Sequence, residues 1–383
     1  MINPNLKIDI VGAGIGGLTL GIALKKKGFT INVFEQANEI KAVGAGIVLA
    51  NNAMQVYDKL GIRASLENQG NIIKAFHLAT PDLKPLVGAS LQQFEEKYGV
   101  RNIAIHRGVL QKELAKHFTD KQLHTGFELD RINRGEDGYE LSFKNGQSIN
   151  STLVIGADGA HSQVRKAIFP ESIIRNTNQI CWRGVAEYEL PDAFQQELTE
   201  AWGKGERFGF VKIAPKTVYW FAVKSFKNGK EDMGNDQLTH YFNSFHPMVG
   251  ELIEATPQDQ IHVARLSDLK PMKQWYKGSI CLLGDAAHAM TPNMGQGAGQ
   301  SIEDAHILSQ CLGLLNPQEA FERYQKLRLD KVTQIINRSW QIGKVAHFSN
   351  PLAVFLRNNL MKFTPESVNT KQTEMIFELA RVR

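Results

Sequence analysis

A glycine-rich turn near the start of the chain constrains the fold more than any other feature of the sequence. An apolar strand is predicted at Lys7–Val11, an Ala/Leu/Gly-rich helix at Gly14–Lys27 and a second strand at Thr30–Phe34, so the chain opens with a βαβ unit. The turn before the helix reads Gly12-Ala13-Gly14-Ile15-Gly16-Gly17. Glycines in this G-x-G-x-x-G pattern allow a tight turn, the approach of a pyrophosphate to the backbone, and close packing of helix on strand.

The acid that accompanies such a turn is Glu35, which ends the second strand 18 positions after Gly17. A spacing of about 20 residues is expected for the carboxylate that binds a ribose hydroxyl. The helix N-terminus adds N–H donors and the positive end of its dipole. These features predict a dinucleotide site, which does not by itself distinguish NAD from FAD. Its members are Gly12, Gly14, Ile15, Gly16, Gly17, Glu35 and the adjoining Gln36.

A second motif, Gly284-Asp285-Ala286-Ala287-His288, follows a strand predicted at Ser279–Leu283. An acid at a strand end can accept hydrogen bonds from the hydroxyls of a polyol such as a ribityl chain. The chain continues through Pro292 into a glycine-rich loop that opens a helix, and such a loop directs N–H groups at an anion such as the N1/O2 edge of reduced flavin. The second motif therefore favours FAD. The loop residues are Gly295, Gln296, Gly297 and Ala298.

A third motif, Gly156-Ala157-Asp158-Gly159, lies between a strand predicted at Thr152–Ile155 and another helix start. Asp158, like the acids of the other two motifs, has an alternative role as a helix cap or turn former. The residues alone leave both interpretations open.

The order of secondary-structure patterns predicts two interleaved domains. Between Ile72 and Val100 the pattern is irregular, with prolines at 81 and 85, whereas three later aromatic-rich segments predict antiparallel strands. We therefore predict an α/β fold with an α+β second domain. Residues 1–72, 101–175 and 272–346 form a discontinuous cofactor domain, 73–100 and 176–271 a substrate-binding β-sheet domain, and 347–383 a C-terminal helical segment. The aromatic-rich segments are Ile180–Tyr188, Arg207–Ile213 and Val218–Val223.

The C-terminal segment carries a single apolar helical face. We expect this face to dock on the main body, because satellite amphipathic helices usually bury their apolar side on their own protein. Membrane or partner binding is the alternative. The face consists of Leu352, Phe355, Leu356, Leu360 and Phe363.

Charge and cysteine content limit the partners. The net charge of +5 suits anionic small molecules, and the basic residues are too scattered to predict nucleic-acid binding. Cys181, Cys281 and Cys311 lie far apart and form no disulfide framework, which predicts a reducing compartment, the cytoplasm. No apolar stretch reaches the ~18 residues of a membrane span, and the early first strand leaves no room for a secretion signal. No metal site is predicted.

The three motifs, in this order and at these distances, resemble the class A flavoprotein monooxygenases, the p-hydroxybenzoate hydroxylase family that also includes salicylate and urate hydroxylases and zeaxanthin epoxidase. The resemblance covers the chain from about Leu6 to Ala346. It implies a glutathione-reductase-type FAD domain beside a β-sheet substrate domain, non-covalent FAD, and NAD(P)H and O2 as co-substrates. The implied reaction is hydroxylation or epoxidation of a small aromatic or polyene substrate through a C4a-hydroperoxyflavin, in a monomer or homodimer.

The resemblance also implies roles for residues at the flavin. Glu35 would bind the adenosine ribose, Asp285 the ribityl chain, and Arg107 would reach the FAD. The backbone of Gly295–Ala298 would contact the flavin ring, with Pro292 beside the face that reacts with oxygen.

Three further positions follow from the same resemblance. Asp158 belongs to a fingerprint associated with both FAD and NAD(P)H, and the backbone at Leu129 would lie near the adenine. Val48 stands where some relatives carry a hydroxyl residue near the flavin, so that any contact at Val48 would be made by the backbone.

For the substrate, Arg207 and Tyr219 occupy positions that face the substrate in urate hydroxylases. Strand alternation puts Arg207 on the opposite side from Phe208, and a guanidinium on an aromatic sheet could bind an anionic ring by pairing and stacking. The alternative is a structural salt bridge for Arg207 and ordinary sheet packing for Tyr219. The motif Trp182-Arg183-Gly184 is a second candidate for substrate binding.

Two other functions remain open from the sequence. One is a flavin-dependent reductase or dehydrogenase that acts on C–C bonds, and the other is a flavin-holding redox sensor without turnover. A disulfide reductase is disfavoured, because the chain has no second G-x-G-x-x-G motif and no closely spaced cysteine pair.

Overall fold

The computed structural model describes residues 6–40, 45–226, 237–363 and 366–382. The strands are β1 Lys7–Val11, β2 Thr30–Glu35, β3 Gly46–Leu49, β4 Asn71–Ile73, β5 Ala75–Ala79, β6 Pro85–Ser90, β7 Asn102–His106, β8 Leu123–Thr125, β9 Leu129–Arg134, β10 Tyr139–Phe143, β11 Ser148–Ser151, β12 Val154–Gly156, β13 Ile174–Glu187, β14 Glu197–Trp202, β15 Glu206–Ala214, β16 Thr217–Ser225, β17 His262–Leu269, β18 Tyr276–Lys277 and β19 Ile280–Leu282. The helices are α1 Ile15–Lys26, α2 Asn51–Leu60, α3 Arg63–Gln69, α4 Gln92–Tyr98, α5 Arg107–Ala115, α6 Gln163–Ile168, α7 Leu238–Tyr241, α8 Pro247–Glu254, α9 Asp285–His288, α10 Gly297–Leu312, α11 Pro317–Ala346, α12 Pro351–Lys362 and α13 Glu366–Phe377.

A six-stranded sheet in the order β18-β19-β12-β1-β2-β8 organises the first half of the fold. All of its pairings are parallel except β18 with β19. Nearly every residue of β1, β12 and β19 is buried, because other elements cover both faces of the sheet. The predicted βαβ opening is present as β1, α1 and β2. The carboxyl ends of these parallel strands meet at one edge, where all three motifs lie.

A seven-stranded sheet in the order β17-β13-β16-β15-β14-β5-β6 forms the second half. Its pairings are antiparallel except β14 with β5, and it contains the three predicted aromatic-rich strands as β13, β15 and β16. One face packs against α8 through buried aromatic side chains such as Phe208 and Trp220. The other face packs on the short sheet β3-β7-β4, where Val211 contacts the cluster around Ala104.

The fold belongs to the predicted α/β class with a second, β-rich part. Segments that enter the two large sheets alternate along the chain, and the division into domains stays a prediction. The irregular pattern predicted between Ile72 and Val100 is wrong, because β5, β6 and α4 lie there. Pro85 has no backbone N–H to donate, and this is tolerated because it is the first residue of β6, an edge strand.

The apolar face of the C-terminal segment does not dock on the body, which corrects that prediction. The segment does form a helix, α12, but all five apolar side chains of the face are exposed. Its buried side chain is Arg357. Among the described residues, no helix is both long enough and apolar enough to cross a membrane.

Candidate active site

The first motif forms a turn in which glycine is present at each position for a different physical reason. Gly12 has φ of +107°, and a Cβ there would lie 2.3 Å from the carbonyl oxygen of Ala157. A Cβ on Gly17 would lie 2.0 Å from the carbonyl oxygen of Gly12. These two glycines are therefore required by the fold itself. A Cβ on Gly14 would meet no protein atom within 4 Å, so its side leaves space for a ligand against the backbone.

The other two motif positions, Ile15 and Gly16, serve packing. Ile15 is buried at the start of α1. A Cβ on Gly16 would lie 2.8 Å from Leu283 Cδ2 and 3.1 Å from Ser301 Cβ, so this glycine brings α1 close to β19 and α10.

Glu35 holds the glycine turn from the neighbouring strand. Its Oε2 accepts a hydrogen bond from Ala13 N at 2.9 Å, and its Oε1 accepts one from Ala37 N at 2.9 Å. From the other side, Gln111 Nε2 donates to Ala13 O at 2.8 Å, a contact that the sequence motif does not reveal. Each Glu35 oxygen keeps a lone pair for a ribose hydroxyl. Gln36 is exposed next to it.

Asp285 of the second motif lies at the first position of α9, directly after Gly284, which has φ of +61°. Its side chain is exposed on one side, while protein atoms crowd its other sides. This crowding raises the pKa of the Asp285 carboxyl, and the charges of His288 and Arg107 partly oppose the rise. An acid held at this strand end can accept hydrogen bonds from a polyol.

The glycine-rich loop after α9 presents open backbone at two of its glycines. Gly295 has φ of +61° and a Cβ there would meet nothing within 4 Å, while a Cβ on Gly297 would have its nearest neighbours at 3.9 Å. Gly297 is also the first residue of α10, so the unpaired N–H groups of that helix point toward the loop. Pro292 is exposed and Ala298 half-buried. The arrangement suits a flat ring with an anionic edge.

Gln296 holds this loop in place through buried hydrogen bonds. Its Oε1 accepts hydrogen bonds from Asn52 Nδ2 at 3.2 Å and Gln300 Nε2 at 3.1 Å, and all three side chains are buried. Gly299 permits the contact, because a Cβ there would lie 3.1 Å from Asn52.

Asp158 of the third motif caps a helix. Its carboxylate accepts hydrogen bonds from Gln163 N at 2.7 Å and Val164 N at 3.1 Å, at the start of α6, and from the Ser162 hydroxyl. The capping alternative that the residues left open is therefore present in the structure. Contact of Asp158 with FAD or NAD(P)H stays a prediction.

The remaining predicted cofactor residues lie as follows. Arg107 is exposed at the first position of α5, at the end of β7. Leu129 is buried in the core, so only its backbone can face a ligand. Val48 lies in β3 opposite Ala104, with its side chain packed toward the seven-stranded sheet.

A buried ionic cluster that sequence reasoning missed supports the second motif. Asp304 Oδ2 accepts from Gly284 N at 3.1 Å and contacts His288 Nε2, while Asp304 Oδ1 accepts from Arg328 Nε at 2.7 Å. Arg328 also pairs with Glu303. The available sequence signal was the adjacent pair Glu303-Asp304 between apolar residues of α10, since buried carboxylates need partners.

Arg207 is buried and already paired. Its guanidinium donates to Glu200 Oε1 at 2.8 Å and to Asn293 Oδ1. Asn293 in turn donates to Thr291 Oγ1 at 2.9 Å and to Ser339 O at 2.7 Å. The network connects the seven-stranded sheet to the turn that carries Pro292.

Tyr219 and Arg207 point to the same face of the seven-stranded sheet, on neighbouring strands. Phe221 and Arg183 share this face, and all but Arg207 are only half-buried. The Phe221 ring covers Gly209, whose Cβ would lie 2.2 Å from it. Tyr219 packs against the chain at Gly46. These partly exposed side chains form one face of the sheet, which Arg207 and Asn293 connect to the turn before the glycine-rich loop.

The residues fit a bound FAD. Open backbone at Gly14, an exposed acid at Asp285 and the glycine loop at Gly295 lie at the carboxyl ends of β1, β19 and the start of α10. These match the pyrophosphate, the ribityl chain and the isoalloxazine ring of the cofactor in turn.

Comparison with known proteins agrees with this geometry. A family model described as an FAD binding domain matches residues 5–339. The chain belongs to this FAD-binding family. The aurachin C monooxygenase/isomerase of Stigmatella aurantiaca is 35% identical over 94% of this chain and 95% of its own length. The 2-heptyl-3-hydroxy-4(1H)-quinolone synthase of Pseudomonas aeruginosa is 30% identical over 97% of this chain and 98% of its own length.

The solved structure of Klebsiella pneumoniae HpxO with FAD and uric acid superposes with a TM-score of 0.88, at 24% identity, over 97% of this chain and 96% of that one. At this identity the likeness concerns the fold. The FAD-binding protein is accordingly an oxidoreductase, an FAD-dependent monooxygenase, and the predictions of family, fold class and cofactor are confirmed.

Proposed function

We propose that this monooxygenase hydroxylates an electron-rich heteroaromatic ring that carries an alkyl chain, with a 2-alkyl-4(1H)-quinolone as the representative substrate. The ring C–H, O2, NAD(P)H and a proton give C–OH, NAD(P)+ and water. NAD(P)H would bind transiently, since the sequence contains no second dinucleotide motif. The reaction would take place in the cytoplasm.

The observation that carries this proposal is a strip of half-buried apolar side chains next to the sheet face that carries Tyr219. Leu91 belongs to two neighbouring clusters, one with Val185 and Leu198 at the seven-stranded sheet and the other with Met294 and Met375 near α13. Burying a methylene contributes about 0.8 kcal/mol, and Met side chains adapt to irregular apolar ligands. An alkyl chain would lie along this strip. A relative named as a synthase of 2-heptyl-3-hydroxy-4(1H)-quinolone makes a product with both parts, ring and chain.

The ring would lie over Phe221, with the phenol of Tyr219 at its polar edge. Burial raises the pKa of Tyr219, against the charges of Arg183 and Arg107, so the phenol stays protonated and can donate to a ring carbonyl. Since Arg207 already pairs with Glu200, a neutral ring fits better than a small anion that would compete for this pair.

Protein groups around the flavin would then orient the cofactor and exclude water. Bound FAD supplies the electron transfer and the activation of O2. The N–H groups at the start of α10 would stabilise its anionic edge, Asp285 would hold the ribityl chain, and Pro292 would border the oxygen-reacting face. Arg207 would position the Pro292 turn through Asn293, in addition to its predicted contact with the substrate's carbonyl edge.

A ligand panel tests the substrate class. We expect NAD(P)H oxidation to be slow alone and to accelerate with 2-alkyl-4-quinolones more than with urate or salicylate. With labelled O2, the product should gain one labelled oxygen, measured by mass spectrometry. Acceleration by urate alone would contradict the proposed class. Reduction of a C–C bond without labelled oxygen would instead support the dehydrogenase alternative.

Substitution of Arg207 tests its role. A charge-assisted hydrogen bond in a desolvated site contributes ~1.5–3 kcal/mol, so Arg207→Gln should lower kcat/KM by roughly 10–150-fold. Tyr219→Phe should cost less, because a neutral hydrogen bond contributes ~0.5–1.5 kcal/mol. A rise in KM indicates substrate contact, whereas a fall in kcat with a shifted flavin spectrum indicates positioning of the Pro292 turn.

The matched control is Arg175→Gln, which breaks another arginine–carboxylate pair of the same sheet, with Asp268 at 2.6 Å. This variant should turn over normally. If Arg207→Gln unfolds or loses FAD while Arg175→Gln does not, the arginine is structural. If Arg207→Gln turns over normally, Arg183 becomes the next candidate.

A further inference from the structure

Helix α12 has the opposite polarity from an ordinary surface helix. Its buried side chain is Arg357, which is 3% exposed. Its exposed side chains are large and apolar: Leu352 is 66% exposed, Phe355 62% and Leu356 52%, and Phe363 just beyond the helix is 81% exposed. An apolar surface of this kind on a folded protein indicates an interaction site.

The apolar side is held outward by polar contacts on the inner side. Arg357 Nη1 donates to Ala346 O at 2.9 Å, its Nη2 donates to Gly203 O at 3.3 Å, and the guanidinium lies 5.4 Å from the centre of the Trp202 ring. Asn350 Oδ1 caps the helix by accepting from Leu352 N at 2.9 Å. The helix therefore cannot roll its apolar side inward without breaking a buried charge network.

The exposed apolar side is larger than α12 alone. Val345 and Phe348, each 39% exposed, precede the helix. We call the whole set the α12 surface. It consists of Val345, Phe348, Leu352, Phe355, Leu356, Leu360 and Phe363.

The charge of this region is of one sign. From Lys331 to Pro365 the sequence contains no aspartate or glutamate, and it contains five lysines and arginines, of which Lys331 pairs with Glu303 and Arg357 is buried. Lys344 and Lys362 are exposed beside the α12 surface. Exposed leucines and phenylalanines with flanking lysines are the composition of a helix that lies in the interface of an anionic bilayer.

We infer that the α12 surface docks this enzyme on an anionic lipid bilayer, with the helix in the plane of the interface. A second copy of the chain fits less well, because a two-fold interface would bring the same lysines together without an acid on the segment to pair with them. A lipid headgroup supplies the missing negative charge, and the acyl region takes up the apolar side chains.

The position of α12 gives the docking a function, which rests on the proposed alkylated substrate. Arg357 holds α12 to the turn after Trp202, and Trp202 pairs with Arg207 on the sheet face that also carries Tyr219. α12 also packs against β6, the edge strand of the same sheet. An alkylquinolone dissolved in a bilayer would thus meet the enzyme beside its substrate sheet.

Vesicle flotation of the FAD-loaded enzyme tests the inference. The wild-type protein should float with vesicles of phosphatidylglycerol and phosphatidylcholine at low salt, and much less with phosphatidylcholine alone or at high salt. The double variant Phe355→Ser/Leu356→Ser should have a partition coefficient for these vesicles at least ~10-fold lower than wild type, because two large apolar groups no longer insert. Lys344→Glu with Lys362→Glu should abolish the preference for anionic lipid.

The matched control is Leu314→Ser, which removes a side chain that is 64% exposed outside the α12 surface and should leave flotation unchanged. All variants should retain FAD. Wild-type protein that stays with the unbound fraction, or an apolar variant that floats normally, would overturn the inference. Sedimentation that finds a dimer lost in Phe355→Ser/Leu356→Ser would instead assign the surface to a second copy. Flotation does not depend on turnover, so the proposed function can fail independently.

Discussion

Gly14→Val should give a folded but colourless protein. The wild-type enzyme is expected to be yellow, with about one non-covalent FAD per chain. A Cβ at Gly14 would meet no protein atom within 4 Å, and the backbone there, at φ −67° and ψ 178°, is extended and open to any residue. The side chain would instead occupy the space that the pyrophosphate needs. We expect FAD occupancy to fall below about a tenth, measured by absorbance after release of the flavin.

Two other glycines separate this effect from a general loss of stability. Gly250→Val in α8 also adds a side chain to open space, but away from the motifs, and should keep full flavin. Gly17→Ala places a Cβ 2.0 Å from the carbonyl oxygen of Gly12 and should fail to fold. Full flavin in Gly14→Val would remove the basis for this cofactor site.

The parts of the site that the sequence predicted are those that depend on local geometry. Gly12 and Gly17 are fixed by a single turn, and Asp285 by the end of one strand, so a short motif contains the whole physical reason for each. The βαβ opening was predicted for the same reason, because its strands alternate with a helix within about 30 residues.

The parts that were missed depend on contacts between distant segments. Strand β5 pairs with β14, which lies more than a hundred residues later, and no local pattern between Ile72 and Val100 indicates this partner. Helix periodicity correctly predicted α12, but periodicity does not say which side is buried. The buried side is determined by Arg357, which donates hydrogen bonds to the carbonyl oxygens of Ala346 and Gly203.

The second large effect is expected at Asp304, whose carboxylate connects the buried ionic cluster to the flavin motif. Removing one partner of a buried ion pair typically costs about 3–5 kcal/mol, because the remaining charge has lost its compensation. Asp304→Asn leaves His288 without its carboxylate and Arg328 with only Glu303, and it also weakens the contact that holds Gly284 N. We therefore expect the free energy of unfolding to fall by about this amount, and FAD affinity to fall with it.

Urea unfolding without added FAD measures the first effect, and FAD titration of the folded fraction measures the second. Asp268→Asn is the matched control, since Asp268 is equally buried and pairs with Arg175 at 2.6 Å in the other large sheet. It should be destabilised but bind FAD normally. If Asp304→Asn also binds FAD normally, the cluster stabilises the fold without positioning the second motif.

The pH dependence of the unfolding free energy gives an independent check on the Asp304 carboxylate. Burial alone would raise the pKa of Asp304, but His288 and Arg328 outweigh burial and hold the pKa well below its ordinary value. A carboxyl with a depressed folded-state pKa stabilises the protein above its unfolded pKa, about 3.9, and this contribution is lost as the pH falls toward the folded value. The difference in unfolding free energy between wild type and Asp304→Asn should therefore be full near neutral pH and shrink below about pH 4. A difference that stays constant through this range would mean that the ionised form of Asp304 is not what stabilises the cluster.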